Sequence, residues 1–377
     1  MTETKIKSWQ QELKQNVTTA QLLYERGLIE KESIEAINKV IDSYPMSITE
    51  YYLDLIRTKD ISDPIYKMSI ASIYESNAEG ASDTSGEAQN TVDSGIQHKY
   101  DNTVLLLSTN VCAMYCRHCF RKRLVGQSEE EVLRFTDRAI DYIEAHPEVD
   151  NVLITGGDAF MNSNKIIERY LSRLTKVKHI NFIRFGTRTP VVFPSRINSD
   201  PELVEILTRY SKLKTVYVVT QFNHPRELTA EAVKATDTLR EAGVPVLNQT
   251  VLLAGVNDNS DTLVELFNNL VKNGITPYYL FQCRPVKGVK SHFAVPLLDA
   301  IKIVDKTRAL LSGPAKRFRF SMSHVKGKIE IIGIAGKNKL ILKQHQAKNN
   351  YDLNRLFTIK VRKSDRWLPD VLNYKEL

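Results

Sequence analysis

Cysteine is scarce in this chain, with four residues in 377. Three of the four fall between positions 112 and 119. A secreted protein stapled by disulfides spreads its cysteines along the chain, so that class is excluded, and a metal or cluster site is indicated instead. Long apolar runs are also missing, and no stretch could span a bilayer. The N-terminus, Met1 to Trp9, is charged and lacks the apolar centre of a secretory signal. A cytoplasmic protein with no membrane partner is therefore expected. The formal net charge is +8, yet there is no long basic run and no aromatic–basic stripe. The positive excess reads as a dispersed surface charge or the lining of an anionic cofactor pocket, with no nucleic-acid partner. No internal repeat stands out.

What is present is an ordinary soluble balance, 42% hydrophobic and 25% charged residues. The length suits one large α/β catalytic domain with extensions, or two domains. Three regions are expected. Residues 1–97 read as a helical N-terminal extension and linker. Val17–Tyr24 and Ile34–Ile41 repeat their apolar residues at helical spacing, and Ser47 is placed to cap the helix that follows. Ser76–Asn90 is small, polar and unpatterned, which predicts a linker or exposed loop.

Residues 98–315 alternate short apolar runs with amphipathic helices. The predicted strands are Thr103–Ser108, Asn151–Ile154, Asn181–Phe185, Thr215–Thr220, Val246–Leu252 and Tyr278–Gln282. Helical stretches lie between them, from Glu130–Ala145 to Asp261–Asn273. Strands alternating with longer helices make βαβ units and a parallel sheet, here a partial or complete β/α barrel. In such barrels the chemistry gathers at the C-terminal strand ends. Residues 316–377 form a small mixed extension, with short strands predicted at Arg317–Ser321, Lys328–Ile334 and Lys339–Lys343.

The stretch Ser108-Thr-Asn-Val-Cys-Ala-Met-Tyr-Cys-Arg-His-Cys-Phe120 leaves the first apolar strand. Cys112, Cys116 and Cys119 are spaced Cys-x3-Cys-x2-Cys, and three thiolates on one loop suit a soft metal or an iron–sulfur cluster. A cubane needs four ligands, so three cysteines leave one iron open to a ligand such as S-adenosylmethionine (SAM). Adding His118 would make a zinc set, but adjacent ligands in His118-Cys119 fit a tetrahedron poorly. Burial of all three as core residues conflicts with a turn-rich loop. Cys283 stands alone at a strand end and reads as a small buried residue.

The cysteine spacing, with Tyr115 before the second cysteine, is similar to the radical SAM signature. Several segments resemble the lysine 2,3-aminomutase family in order along the chain: Cys116–Gln127, Leu153–Ala159, Phe185–Val192, Gln221–Pro225, Asn248–Leu253 and Gly255–Asp258. The chain resembles a divergent member. The resemblance implies a partial (β/α)6 barrel, a [4Fe–4S] cluster on Cys112, Cys116 and Cys119, and reductive cleavage of SAM to start hydrogen abstraction. It implies 1,2-amino migration on an amino acid, with pyridoxal phosphate (PLP) carrying the nitrogen, and an electron donor such as flavodoxin or ferredoxin. A homo-oligomer is compatible with it.

On that resemblance Gly156, Gly157 and Asp158 lie near the SAM amino group, and Arg184 ends a strand and binds the SAM carboxylate. Gln221, His224 and Gln249 contact its ribose or adenine. Arg121 occupies the position that grips the substrate carboxylate, through a guanidinium suited to bidentate recognition. Lys328 falls on the PLP lysine, and Lys99 with Tyr100 on the phosphate-binding region.

The pattern departs from the family in several places. The glycine run before the PLP lysine is absent, so Lys328 reads equally as a hairpin residue. Ser321 and Arg284 stand where lysine-specific members carry acids that hold the substrate ammonium. An arginine there repels lysine and favours an anionic group, a second carboxylate or a phosphate. Asn259 replaces a zinc-binding cysteine, and the tail has no cysteine, so no zinc is expected. The alternatives are a PLP-independent radical SAM enzyme acting on another small anionic substrate, or a non-enzymatic iron–sulfur sensor. The sensor has no use for the SAM-side motifs.

Overall fold

The computed structural model describes residues 8–127, 131–133, 136–348, 351–372 and the backbone of 375–376. One sheet holds 13 strands whose spatial order follows the sequence. They are β1 (Thr91–Asp93), β2 (Ile96–Tyr100), β3 (Thr103–Thr109), β4 (Asn151–Gly156), β5 (Phe182–Gly186), β6 (Thr215–Thr220), β7 (Val246–Leu252), β8 (Thr276–Gln282), β9 (Arg319–His324), β10 (Gly327–Ile334), β11 (Lys339–Ala347), β12 (Leu356–Lys360) and β13 (Lys375–Glu376).

From β3 through β9 each strand pairs parallel with the next. All the predicted barrel strands are present. The parallel run goes one strand further than expected, because β9 pairs with β8 through Phe281 and Ser321. The helix Leu297–Leu310 supplies the crossover that makes this parallel pairing possible. At the two ends the sheet turns antiparallel, β1 and β2 on one side and β10 to β13 on the other.

Burial alternates strictly along β5 and β7 and runs nearly continuous along β4, as in a parallel sheet covered by helices. In β5, Ile183 and Phe185 are fully buried beneath the helical layer, whereas Phe182, Arg184 and Gly186 are half-buried. Helices Asn164–Leu174, Pro201–Ser211, Ala230–Glu241 and Ser260–Lys272 press Ile167, Leu171, Leu203, Leu207, Ala235, Leu239, Leu263 and Leu266 into that layer. Each carries a side-chain N-cap at its start, from Ser163, Asp200, Thr229 and Asn259. Asn259, read from sequence against a zinc cysteine, thus has a helix-capping role. The helix predicted from Glu130 is seen at Thr136–Glu144, and residues 128–130 and 134–135 lie outside the described residues.

Two expectations are corrected. The cap of the Glu50–Leu53 helix is Thr49, whose hydroxyl accepts from Tyr52 N at 3.2 Å, because Ser47 is engaged two residues earlier by Asn16. The segment Ser76–Asn90 is exposed over residues 76–82, as expected, but its second half is not an exposed linker. Ala81 bridges Val286, and Thr84, Ser85, Glu87 and Asn90 are buried. Gly80 adopts φ +108°, and a Cβ there would meet Pro285 O at 2.3 Å. Small residues let this segment lie flat against the end of the barrel. In the second half, Ser85 and Glu87 turn their polar groups to Lys99, Arg284 and Arg121.

No helix among the described residues is long and apolar enough to cross a membrane.

Candidate active site

The cysteine loop leaves the C-terminal end of β3 and is held from the N-terminal extension. Tyr115 N donates to Ser47 O at 3.0 Å, Arg117 N to Met68 O at 2.9 Å, and Asn16 Nδ2 to Ala113 O at 2.8 Å. Glu75, fully buried, receives the Arg117 guanidinium at 2.6 Å and the Lys122 ammonium. A charge between two cations inside the protein fixes the loop's path on both sides of Cys119. Gly156 and Gly157 complete the support. A Cβ on Gly156 would meet Thr109 O at 2.3 Å, and one on Gly157 would meet Val111 O at 2.4 Å. These glycines admit the start of the cysteine loop itself against the end of β4.

The three thiols suit a cluster. Burial pushes the Cys119 thiol up to about 11 and holds that of Cys112 well above the usual thiol range, and a coordinated metal deprotonates such sulfurs outright. Arg121 N donates to Cys119 Sγ at 3.3 Å, and Arg188 Nη1 donates to Cys116 Sγ at 2.8 Å. Donors aimed at sulfur are what an anionic cluster requires. His118 is buried between the cysteines. Its Nε2 lies 3.2 Å from both Gln221 Nε2 and Asn223 Nδ2. Both neighbours are donors as assigned, so Nε2 accepts and the proton sits on Nδ1, which has no partner. Cys283 is buried at the end of β8, with its sulfur 3.8 Å from Arg284 O.

Other predicted residues fall in different surroundings. Asp158 is buried, and its carboxylate receives Thr187 Oγ1 at 2.5 Å, Arg188 N at 2.6 Å and Phe160 N at 3.0 Å. It braces the loop after β5. His224 caps the turn Pro225–Glu227, its Nδ1 accepting from Arg226 N at 3.2 Å. Gln249 is half-buried in β7. Arg184 is mid-strand, and its guanidinium turns back to Asn151 at the start of β4. It is therefore aimed away from the cysteine loop.

Arg184 instead joins a second group across the inner face of the sheet. Its charge is sensed by Lys328 on β10, so the two lie within electrostatic reach of each other. Lys328, half-buried on β10, places Nζ 4.7 Å from the Tyr279 ring centroid. Burial, then Arg184, Arg284 and Lys99, push its ammonium down to about 7. Lys99 is pushed down to about 7 by burial and Arg284, and its Nζ donates to Ser85 O at 3.1 Å and His324 O at 2.7 Å. Arg284 donates to Ser85 Oγ at 2.8 Å and stacks 3.9 Å from the Phe120 ring centroid. Among the described residues, none of Lys99, Arg184, Arg284 and Lys328 forms a direct ion pair with a carboxylate, although the charges of Asp83 and Glu87 reach Lys99 and Arg284 and that of Asp150 reaches Arg184. Tyr100 Oη, Arg184 Nε and Ser321 Oγ are buried without a hydrogen bond.

Cations without a direct carboxylate contact, together with orphaned polar groups, on one inner face are the fit expected of a phosphate and carboxylates. A lysine held near neutrality among them is the fit expected of an aldehyde cofactor. Arg121 differs. Its Nε donates to Glu87 Oε1 at 2.8 Å, and Glu87 also pairs with Arg123 at 3.1 Å. Sequence reasoning did not single out Glu75, Ser85, Glu87, Arg188 or Glu227. Arg188 lay inside the quoted segment Phe185–Val192, whereas Ser85 and Glu87 carried no signal, since nothing local tells a buried wall from a loop.

Comparison with known proteins adds the family. The radical SAM superfamily matches residues 106–267. The L-lysine 2,3-aminomutase of Clostridium subterminale is 40% identical over 309 residues, 81% of this chain and 73% of its own. The glutamate 2,3-aminomutase of Clostridioides difficile is 36% identical over 316 residues, 83% of this chain and 74% of its own. An Aquifex aeolicus relative, 37% identical, spans 93% of this chain and 92% of its own. With a cysteine loop at the end of β3 and relatives that match most of its length, the chain belongs to the lysine 2,3-aminomutase family of radical SAM enzymes, a family of isomerases that use SAM and a [4Fe–4S] cluster.

Proposed function

We propose that this enzyme moves an amino group between adjacent carbons of an amino acid whose side chain ends in an anionic group, using PLP. Cys112, Cys116 and Cys119 hold the cluster, and Lys328 is the lysine that attaches PLP. When bound, the cluster supplies the electron that cleaves SAM, and PLP carries the migrating nitrogen. Lys99, assisted by Tyr100, receives the phosphate. Arg121 orients the substrate carboxylate from its Glu87-braced position, and Arg184 adds positive charge to the same inner face. Gly156, Gly157 and Asp158 shape the SAM side, with Gln221, His224 and Gln249 beyond them. A low-potential one-electron donor of the flavodoxin or ferredoxin type serves the cluster in the cytoplasm.

One observation carries the substrate class. Arg284 forms no direct ion pair with a carboxylate among the described residues, and its guanidinium is held by Ser85 Oγ at 2.8 Å and the Phe120 ring. Arg284 is the cation at the predicted side-chain position. A substrate ammonium there would meet like charge in a closed site, which costs several kcal/mol, on the order of the 2–5 kcal/mol of an unpaired buried charge.

The test is anaerobic reconstitution, followed by dithionite, SAM and PLP with glutamate, aspartate or lysine in separate reactions. The expected result is 5′-deoxyadenosine formation in all, dependent on Cys112, Cys116 and Cys119 and indifferent to Cys283→Ala. A β-amino acid should form from a dicarboxylic substrate and not from lysine. Efficient β-lysine formation would overturn the substrate class. SAM cleavage without any borohydride-trapped pyridoxyl adduct on Lys328 would favour PLP-free hydrogen abstraction on a small anionic substrate.

A further inference from the structure

Arg188 has every guanidinium nitrogen committed. Nη1 donates to Cys116 Sγ at 2.8 Å, Nε to Gln221 O at 3.0 Å, and Nη2 to Tyr52 Oη at 3.3 Å and to Glu227 Oε1. Glu227 is fully buried and saturated in turn. Tyr52 Oη donates to it at 2.6 Å, Asn223 N at 2.6 Å and His224 N at 3.0 Å. Tyr52 comes from the N-terminal extension, Arg188 from the loop after β5, and Glu227 from the turn after β6. A buried ion pair thus ends on one cysteine sulfur.

We propose that Arg188 raises the reduction potential of the cluster through its hydrogen bond to Cys116, with Glu227 fixing both its aim and how much of its charge the cluster senses. The inference rests on the proposed role of Cys116 as a cluster ligand. Its physics is elementary. Reduction adds one electron to an already anionic cluster, and nothing else changes at Arg188: no proton moves and no bond breaks. A positive charge and an N–H···S bond stabilise the more negative state, so they favour reduction. The neighbouring carboxylate opposes them. Burial keeps both contributions large, because little water screens them.

The two halves of the pair therefore carry opposite signs. Replacing Arg188 and Glu227 together, as Arg188→Met with Glu227→Gln, removes the N–H···S bond without leaving a lone charge buried. Glu227→Gln alone keeps the bond and frees the arginine's charge. The experiment is a potentiometric titration of the reconstituted full chain without SAM, read by the EPR signal of the reduced cluster, with iron content measured in parallel. The double variant should have a lower midpoint potential, by at least a tenfold change in the reduction equilibrium, about 59 mV for one electron. Glu227→Gln should have a higher one. Full iron with an unchanged potential in the double variant overturns the proposal, as does an unchanged or lowered potential in Glu227→Gln. If the double variant loses iron, the sign in Glu227→Gln decides. Loss of iron from both makes the pair a support for the loop and nothing more, which also overturns it. The underlying assignment is tested separately, since Cys116→Ala retaining a full cluster would remove Cys116 from the ligand set.

Discussion

Arg284 and Ser85 are joined by a hydrogen bond of 2.8 Å across 199 residues of sequence. This bond, with the Phe120 ring 3.9 Å from the guanidinium, locks a cation at the end of β8 in one orientation. A flexible lysine in its place would sample several. A planar guanidinium stacked on an aromatic ring and tied at one nitrogen keeps its remaining edge for a bidentate anion.

Arg284→Asp should therefore invert preference. Activity on a dicarboxylic amino acid should fall by the cost of an unpaired buried charge, about 2–5 kcal/mol in kcat/KM. Lysine should become a better substrate than it is for the wild type. Competition assays with both amino acids read this ratio directly, and a variant that loses both activities equally would make Arg284 a support for Phe120 alone.

The segment around Gly80 should behave as a wall of the site. A Cβ at Gly80 would collide with Pro285 O, in a backbone region that costs other residues about 1–3 kcal/mol. Gly80→Ala should lower the melting temperature. Glu87→Gln should do so more strongly, since it leaves the buried Arg121 without its acid, a loss of about 3–5 kcal/mol, while Arg123 keeps Glu131 at 2.6 Å. Calorimetry checks both. A Gly80→Ala protein as stable as the parent would mean that residues 76–90 yield easily.

The sequence made the barrel strands legible because β-branched and aliphatic runs of fitting length alternate with long amphipathic helices, and tertiary packing agrees with that local pattern. The cysteine loop was legible because its spacing is local. What stayed hidden depends on pairings distant in sequence. Ser85 and Glu87 look like loop residues until Arg284 and Arg121 are brought beside them. Arg184 looks like the end of a strand until two further residues, Phe185 and Gly186, extend β5 beyond it. Asp158 and His224 read as ligand-facing, and both also cap turns, which the sequence did not show, since Asp and His at the start of a short turn find backbone N–H groups nearby.

Arg184→Ala should separate the two halves of the site. The guanidinium turns toward Asn151 and lies in the electrostatic reach of Lys328. SAM affinity, measured by equilibrium dialysis on the reconstituted protein, should stay close to that of the parent, because the guanidinium turns to Asn151 and away from the cysteine loop. Binding of PLP should weaken. Lost SAM affinity with unchanged PLP binding would return Arg184 to the SAM carboxylate.

The last prediction concerns Lys328 and pH. Burial and its cationic neighbours push its ammonium down to about 7, while an unfolded lysine keeps its proton to about 10.4. Between those values the unfolded chain binds more protons than the native one, so stability rises with pH from about 7 toward 10. Below about 7 both states are protonated, and this residue contributes no slope. The largest slope one such group gives is about 1.4 kcal/mol per pH unit. Lys99, also pushed down to about 7, adds a similar rise of its own, so the comparison has to be made against Lys328→Met. Urea denaturation of the PLP-free protein at pH 6, 7, 8 and 9 should give a steeper gain above pH 7 in the parent than in that variant. The same neutral amine is the one that attacks an aldehyde, so borohydride trapping of PLP on Lys328 should increase over the same interval. Parallel stability curves for parent and variant would mean that Lys328 keeps its proton in the folded protein, and with it an ordinary lysine's reluctance to attach PLP at neutral pH.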